Sequence, residues 1–237
     1  MKAIILTRLV PVLTAIALML NSVGAMIGVG VIIPYNPDRV EVAVEGEIST
    51  NVDEILGYYN EAVKKTGFVI GTSTYANLNI LYDSPEDADE ADQMIYDMIE
   101  TYSEALTSSP AYIFEVPGNG GVLASDIESA KMSVKDGKRT VILELVDGKD
   151  AASRLFAWKD VDLLDAFGEI GFEVKSGKVT ENYENITVSC VIDENGKIIY
   201  GDWDYDCDYS LNQVVMNVAD MEMVFDFTMD STIETDI

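Results

Sequence analysis

From Met221 to Met229 the chain alternates with a period of two. Met221, Met223, Phe225, Phe227 and Met229 fall at odd positions, and Glu222, Val224, Asp226 and Thr228 sit between them. A period of two sends the first set to one face of a β-sheet and the second set to the other. Upstream, the stretch ENITVSCVIDENGKIIYGDWDYDCDYS carries Asn195-Gly196, a pair that tolerates the positive φ of a type I′ hairpin turn. With those two residues as the loop, Ile192 faces Ile199, Cys190 faces Gly201, Val188 faces Trp203 and Ile186 faces Tyr205. That register sorts Ile186, Val188, Cys190, Ile192, Ile199, Trp203 and Tyr205 onto one apolar face. Asn185, Thr187, Ser189, Asp202, Asp204 and Asp206 take the other. The apolar phase then slips from odd positions (Tyr209, Leu211) to even ones (Val214, Met216, Val218), which predicts a β-bulge near Asn212-Gln213 and a curved sheet.

The chain has 42 acidic and 15 basic residues, no histidine, and a net charge of −27. Nucleic acid is excluded as a partner, because its phosphates would be repelled. The absence of histidine removes Ser-His-Asp and Cys-His triads, His-ligated zinc and imidazole acid–base chemistry. In the register above, Cys190 and Cys207 lie about 20 Å apart along the hairpin. That separation is too long for a disulfide, so both read as small buried thiols.

Lys2 and Arg8 precede an apolar run over residues 9–33, long enough as a helix to cross a bilayer. An uncleaved membrane anchor accounts for the full length of the run; a signal peptide cleaved after Ala25 is the alternative. No lipobox cysteine is present. Either way the acidic bulk lies outside the cell membrane, anchored or secreted. The organisation expected is therefore residues 1–34 as anchor or signal, 35–50 as linker, 51–230 as one extracytoplasmic domain and 231–237 as an acidic tail.

A first helix is predicted over residues 52–65, capped by Thr50 or Asn51, with Val52, Ile55, Leu56, Tyr59, Ala62 and Val63 as its apolar stripe. Residues 67–82 read as a strand with an irregular centre. A second helix begins at Ser84-Pro85 and carries an apolar stripe from Ala91 to Leu106. Ser125–Ser129 reads as a helical turn, Asp136-Gly137 turns a second hairpin, and short helical pieces cover residues 150–158 and 161–167. The fold class expected is α+β: a curved, half-barrel-like antiparallel meander packed by a few amphipathic helices and preceded by the N-terminal segment.

Catalytic signatures are missing: there is no G-x-x-x-x-G-K, G-x-G-x-x-G, S-x-x-K, G-x-S-x-G or C-x-x-C. The expectation is a protein that is not an enzyme, with no cofactor, catalytic residue or metal ligand. A two-carboxylate hydrolase is kept as a further alternative. Asp202, Asp204, Asp206 and Asp208 superficially suggest a calcium loop. However, Cys207 stands where an EF-hand needs glycine and Gln213 where it needs glutamate, so the four read as a solvated strand face. Asn185-Ile186-Thr187 fits a glycosylation sequon that matters only in a eukaryotic secretory pathway.

EILGYYNEAVKK, the LASDI turn and the Asn195-Gly196 hairpin resemble a group of exported, membrane-anchored proteins of Gram-positive anaerobes with no assigned activity. The C-terminal meander is also similar to the half-barrels of LolA-like and LppX-like lipid carriers. That resemblance implies an apolar ligand or lipid held on the concave face of the sheet by Trp203, Tyr205, Met216, Met221, Met223, Phe225 and Phe227. The alternative is an acidic surface module for a basic protein or envelope polymer. The plain structural alternative is that helices fill that face as core.

Overall fold

A computed structural model describes residues 42–82, 112–119, 121–156, 173–218 and 221–237. The apolar run at residues 9–33, the helix expected after Ser84 and the helical piece at 161–167 lie outside the described residues. Among those described, no helix is long and apolar enough to cross a membrane.

Among the described residues the architecture is α+β, an antiparallel sheet with two helices. In chain order the elements are β1 (Ile48–Ser49), α1 (Val52–Thr66), β2 (Phe68–Tyr82), β3 (Tyr112–Glu115), a 3₁₀ turn (Ala124–Asp126), β4 (Ile127–Lys135), β5 (Lys138–Leu145), α2 (Lys149–Phe156), β6 (Glu173–Ile192), β7 (Ile198–Val218) and β8 (Met221–Asp236). The strands form one open eight-stranded sheet in the order β1-β4-β5-β6-β7-β8-β2-β3.

Helix α1 starts where its cap dictates. Asn51 is extended, and its side-chain oxygen accepts the Glu54 N–H at 3.1 Å. Asp53 and Glu54 suit the positive end of the dipole, Lys64 and Lys65 the negative end. Ile55, Leu56, Tyr59, Ala62 and Val63 are buried against the sheet, as the 3.6-residue spacing predicts. The Thr66 hydroxyl accepts the Ile198 N–H at 2.9 Å and ties the end of α1 to the start of β7.

The long β6–β7 hairpin departs from the expected register at both ends. At its tip the loop is not the two-residue turn. The Asp193 carboxylate accepts the backbone N–H groups of Asn195 and Lys197 at 2.9 and 2.8 Å, and Gly196, not Asn195, takes the positive φ. The local pull of Asp193 outweighs the Asn-Gly preference. Ile192 consequently pairs with Ile198, and Ile199 is displaced as an extra residue before Val191 meets Tyr200. Ile198 is buried and Ile199 is half exposed, so Ile199 does not belong to the apolar face.

From there Cys190 opposite Gly201 and Val188 opposite Trp203 match the expectation. A bulge at Asn185-Ile186 then intervenes. Both residues lie opposite Tyr205, between the Glu184–Asp206 and Thr187–Asp204 pairs. Continuing the straight register would have aimed Glu184 at the core. The extra residue turns Tyr183 inward, 1 % exposed, and leaves Glu184 outside. Cys190 and Cys207 are both buried and form no disulfide, with Cys207 opposite Tyr183.

The bulge expected at Asn212-Gln213 is present: Leu211 pairs with Phe227 and Val214 with Phe225, and Gln213 has φ +48°. Gly177 faces it from β6 at φ +121°, where an added Cβ would run into the Val214 backbone. Glycine is required there by both conformation and space. The C-terminus is a correction. Residues 231–237 are no loose tail; Thr72 pairs with Asp236 on one side of β8, Asp202 pairs with Asp236 on the other, and the Ile237 N–H donates to the Gly201 carbonyl at 2.9 Å. Ser231, Ile233 and Thr235 alternate with Thr232, Glu234 and Asp236 and continue the strand to its end.

Candidate functional site

The sheet has two contrasting faces where β6, β7 and β8 run together. On the core face, Trp203 and Tyr205 are 0 % and 1 % exposed. The Trp203 Nε1–H donates to the Tyr59 hydroxyl at 2.9 Å, and that hydroxyl donates to the Pro117 carbonyl at 2.6 Å. The indole lies over Gly201, where any Cβ would collide with its six-membered ring. Tyr205 packs at 4.9 Å, centroid to centroid, on Phe156 of α2 and at 6.0 Å on Tyr183. Burial pushes the Tyr59 phenol well above its usual range, and the nearby Cys190 adds to this against the opposing Trp203 hydrogen bond. Burial likewise pushes the Cys190 thiol up to about 12. Neither group ionises near neutral pH, so neither serves as a nucleophile there.

Trp203 and Tyr205 are thus covered by Tyr59 of α1 and Phe156 of α2. Register places Met216 opposite Met223, Val214 opposite Phe225, Leu211 opposite Phe227 and Val218 opposite Met221. These pairs lie beyond the bulge, and Met216 is about 40 Å along β7 from Trp203.

The opposite face is acidic. Asp202 lies between Ser189 and Asp236, Asp204 between Thr187 and Glu234, Asp206 between Glu184 and Thr232, and Asp208 between Asn182 and Asp230. Asp206 is held on both sides: the Asn185 amide donates to one oxygen and the Thr232 hydroxyl to the other, each at 2.6 Å. The register therefore sets acidic residues opposite acidic residues at Asp202–Asp236, Asp204–Glu234, Asp206–Glu184 and Asp208–Asp230. Like charges so placed destabilise a sheet. Among the described residues no group of three or more His, Cys, Asp or Glu side chains is arranged to hold a metal ion.

A second buried polar contact, without any local sequence signal, locks the 3₁₀ turn to α2. Arg154 donates to Asp126 through Nε at 2.7 Å and Nη2 at 2.5 Å, and the Leu123 N–H adds a bond at 2.8 Å. Burial raises the Asp126 carboxyl, but the Arg154 fork and the Leu123 N–H outweigh it and hold it below the usual carboxylate range.

No family model, characterised protein or solved structure matches the chain.

Proposed function

We propose that this chain is a non-enzymatic extracytoplasmic domain, held at the membrane by residues 9–33, that engages a cationic partner through the acidic face of β6–β8. The observation that carries the reading is the cross-strand ladder of facing carboxylates, from Asp202–Asp236 to Asp208–Asp230. A sheet that sets like charges opposite one another gives up stability, and such local conflicts concentrate at functional positions. A basic protein segment or an amine-bearing envelope polymer would relieve the repulsion on binding. Rows of Thr187, Ser189 and Thr232 beside the carboxylates offer hydroxyls to the same partner.

Titrating the full chain in detergent micelles with a decamer of lysine tests it. Affinity should fall steeply as sodium chloride rises from about a tenth of physiological strength to about twice that, since the Debye length shrinks across that range. Affinity indifferent to salt would sink the reading.

A second reading places an apolar ligand at the far end of the same sheet. The pairing of Met216 with Met223 and of Val214 with Phe225 favours it. On this reading the bulged strands curve into a half-barrel, and Met216, Met221, Met223, Phe225 and Phe227 line it without Trp203 or Tyr205. Native mass spectrometry of the chain isolated from cells should then reveal a discrete extra mass that organic extraction removes. A chain that stays at its bare mass when offered lipids would rule this out.

A further inference from the structure

Six cations of this acidic chain meet at one end of the sheet. There the Asp136-Gly137 turn comes against Glu194 in the β6–β7 loop, and Lys65 at the end of α1 reaches Gly196 in that loop. Lys64, Lys65, Lys135, Lys138, Arg139 and Lys197 are all carried by these three pieces. Glu45, Glu47, Glu61, Asp136, Asp193 and Glu194 stand among them and Glu115 lies opposite Phe68, so cations and carboxylates are about equal in number at this end, in a chain whose net charge is −27.

The same end displays apolar side chains. Of the four large hydrophobics at least half exposed among the described residues, three are here: Phe68 at 67 %, Val134 at 56 % and Ile199 at 50 %. Phe68 follows the helix end that holds Ile198 through Thr66, next to Ile199. Val134 pairs with Arg139, whose guanidinium lies 4.4 Å from the centre of the Tyr58 ring. Apolar tips ringed by lysines suit the boundary between lipid headgroups and acyl chains, where the stems bury and the ammonium groups stay wet.

The chain also enters the domain here. Glu45 accepts from Lys135 at 2.5 Å, and β1 pairs with β4 through Ile48–Ser133. The apolar run at residues 9–33 lies a short way upstream. We infer that this end of the sheet rests on an anionic lipid surface, with Phe68, Val134 and Ile199 dipping into it and Lys135, Lys138 and Lys197 on its headgroups. Among the described residues an anionic bilayer repels the acidic face of β6–β8, while the lysines of this end meet its headgroups. The acidic face of β6–β8 then stands clear of the membrane.

The inference rests on residues 9–33 as a membrane segment, and the two are read separately. Flotation of the full chain with vesicles reports the segment. Position-specific shielding reports the docked end. An environment-sensitive thiol probe is placed by Val134→Cys, Ile199→Cys or, as control, Leu123→Cys, which is exposed at the opposite end of β4. The native Cys190 and Cys207 are buried and leave the label specific. The chain is reconstituted in phosphatidylcholine alone or with about one-third phosphatidylglycerol.

With the anionic lipid, probes at positions 134 and 199 should shift to the blue and resist iodide quenching, while the probe at 123 stays fully quenched. Combining Lys135→Glu, Lys138→Glu and Lys197→Glu should undo the shielding, with the docked-to-undocked ratio falling about fivefold or more per reversed lysine. Equal quenching at all three positions would overturn the inference. So would shielding that is the same in both lipids or survives the three reversals.

Discussion

Replacing Trp203 with alanine should destabilise the domain by about 3–5 kcal/mol, the range for deleting a wholly buried tryptophan. The indole is 0 % exposed, and its N–H is committed to Tyr59. Its loss opens a cavity beneath α1 that the fixed Gly201 backbone cannot fill. Tyr59→Phe isolates the polar part: it removes the acceptor for Trp203 and the donor to Pro117 and should cost about 1–3 kcal/mol. Because the two residues share one hydrogen bond, the double variant should cost less than the sum. Urea unfolding of the three variants checks this. A Trp203→Ala change within about 1 kcal/mol of the parent would mean that the indole is not core and that the face above it is open.

Arg154→Met should be about as damaging, roughly 3–5 kcal/mol, because it strands the Asp126 carboxylate at 2 % exposure. Adding Asp126→Asn should recover part of the loss by removing the stranded charge. The pH dependence carries the sign. In the parent the Asp126 carboxyl is held below its unfolded value, so its contribution is complete above about pH 4 and disappears as pH falls through the depressed folded value. In Arg154→Met burial acts without the guanidinium and raises the carboxyl. The deficit of the variant should therefore shrink on acidification. A deficit that grows as pH falls would contradict the assignment.

What was legible in the sequence was local. The stripe and caps of α1, the inward parity of Val188, Cys190, Trp203 and Tyr205, and the bulge at Asn212-Gln213 all follow from spacing within one or two elements. What closed the apolar face was not. Tyr59 meets Trp203 across 144 residues, and Asp126 meets Arg154 across 28, with no pattern to pair them. The Asn195-Gly196 loop misled because the carboxylate of Asp193 competes for the same backbone groups. The final strand was hidden by its charge: the acidity of residues 230–236 suggested a solvated tail, although the alternation through Ile233 and Thr235 was present. The ladder of facing carboxylates needed the pairing of β7 with β8, which the four aspartates on β7 alone could not supply.

The central claim is that the acidic face trades stability for binding. The direct measurement compares the parent with a variant combining Asp202→Asn, Asp204→Asn, Asp208→Asn and Glu234→Gln, each scored both for urea midpoint and for decalysine affinity. The account predicts that the variant unfolds at higher urea, by about 1 kcal/mol or more from the relieved cross-strand repulsion, and binds the peptide at least tenfold more weakly. A variant that is less stable and binds as well as the parent would contradict it.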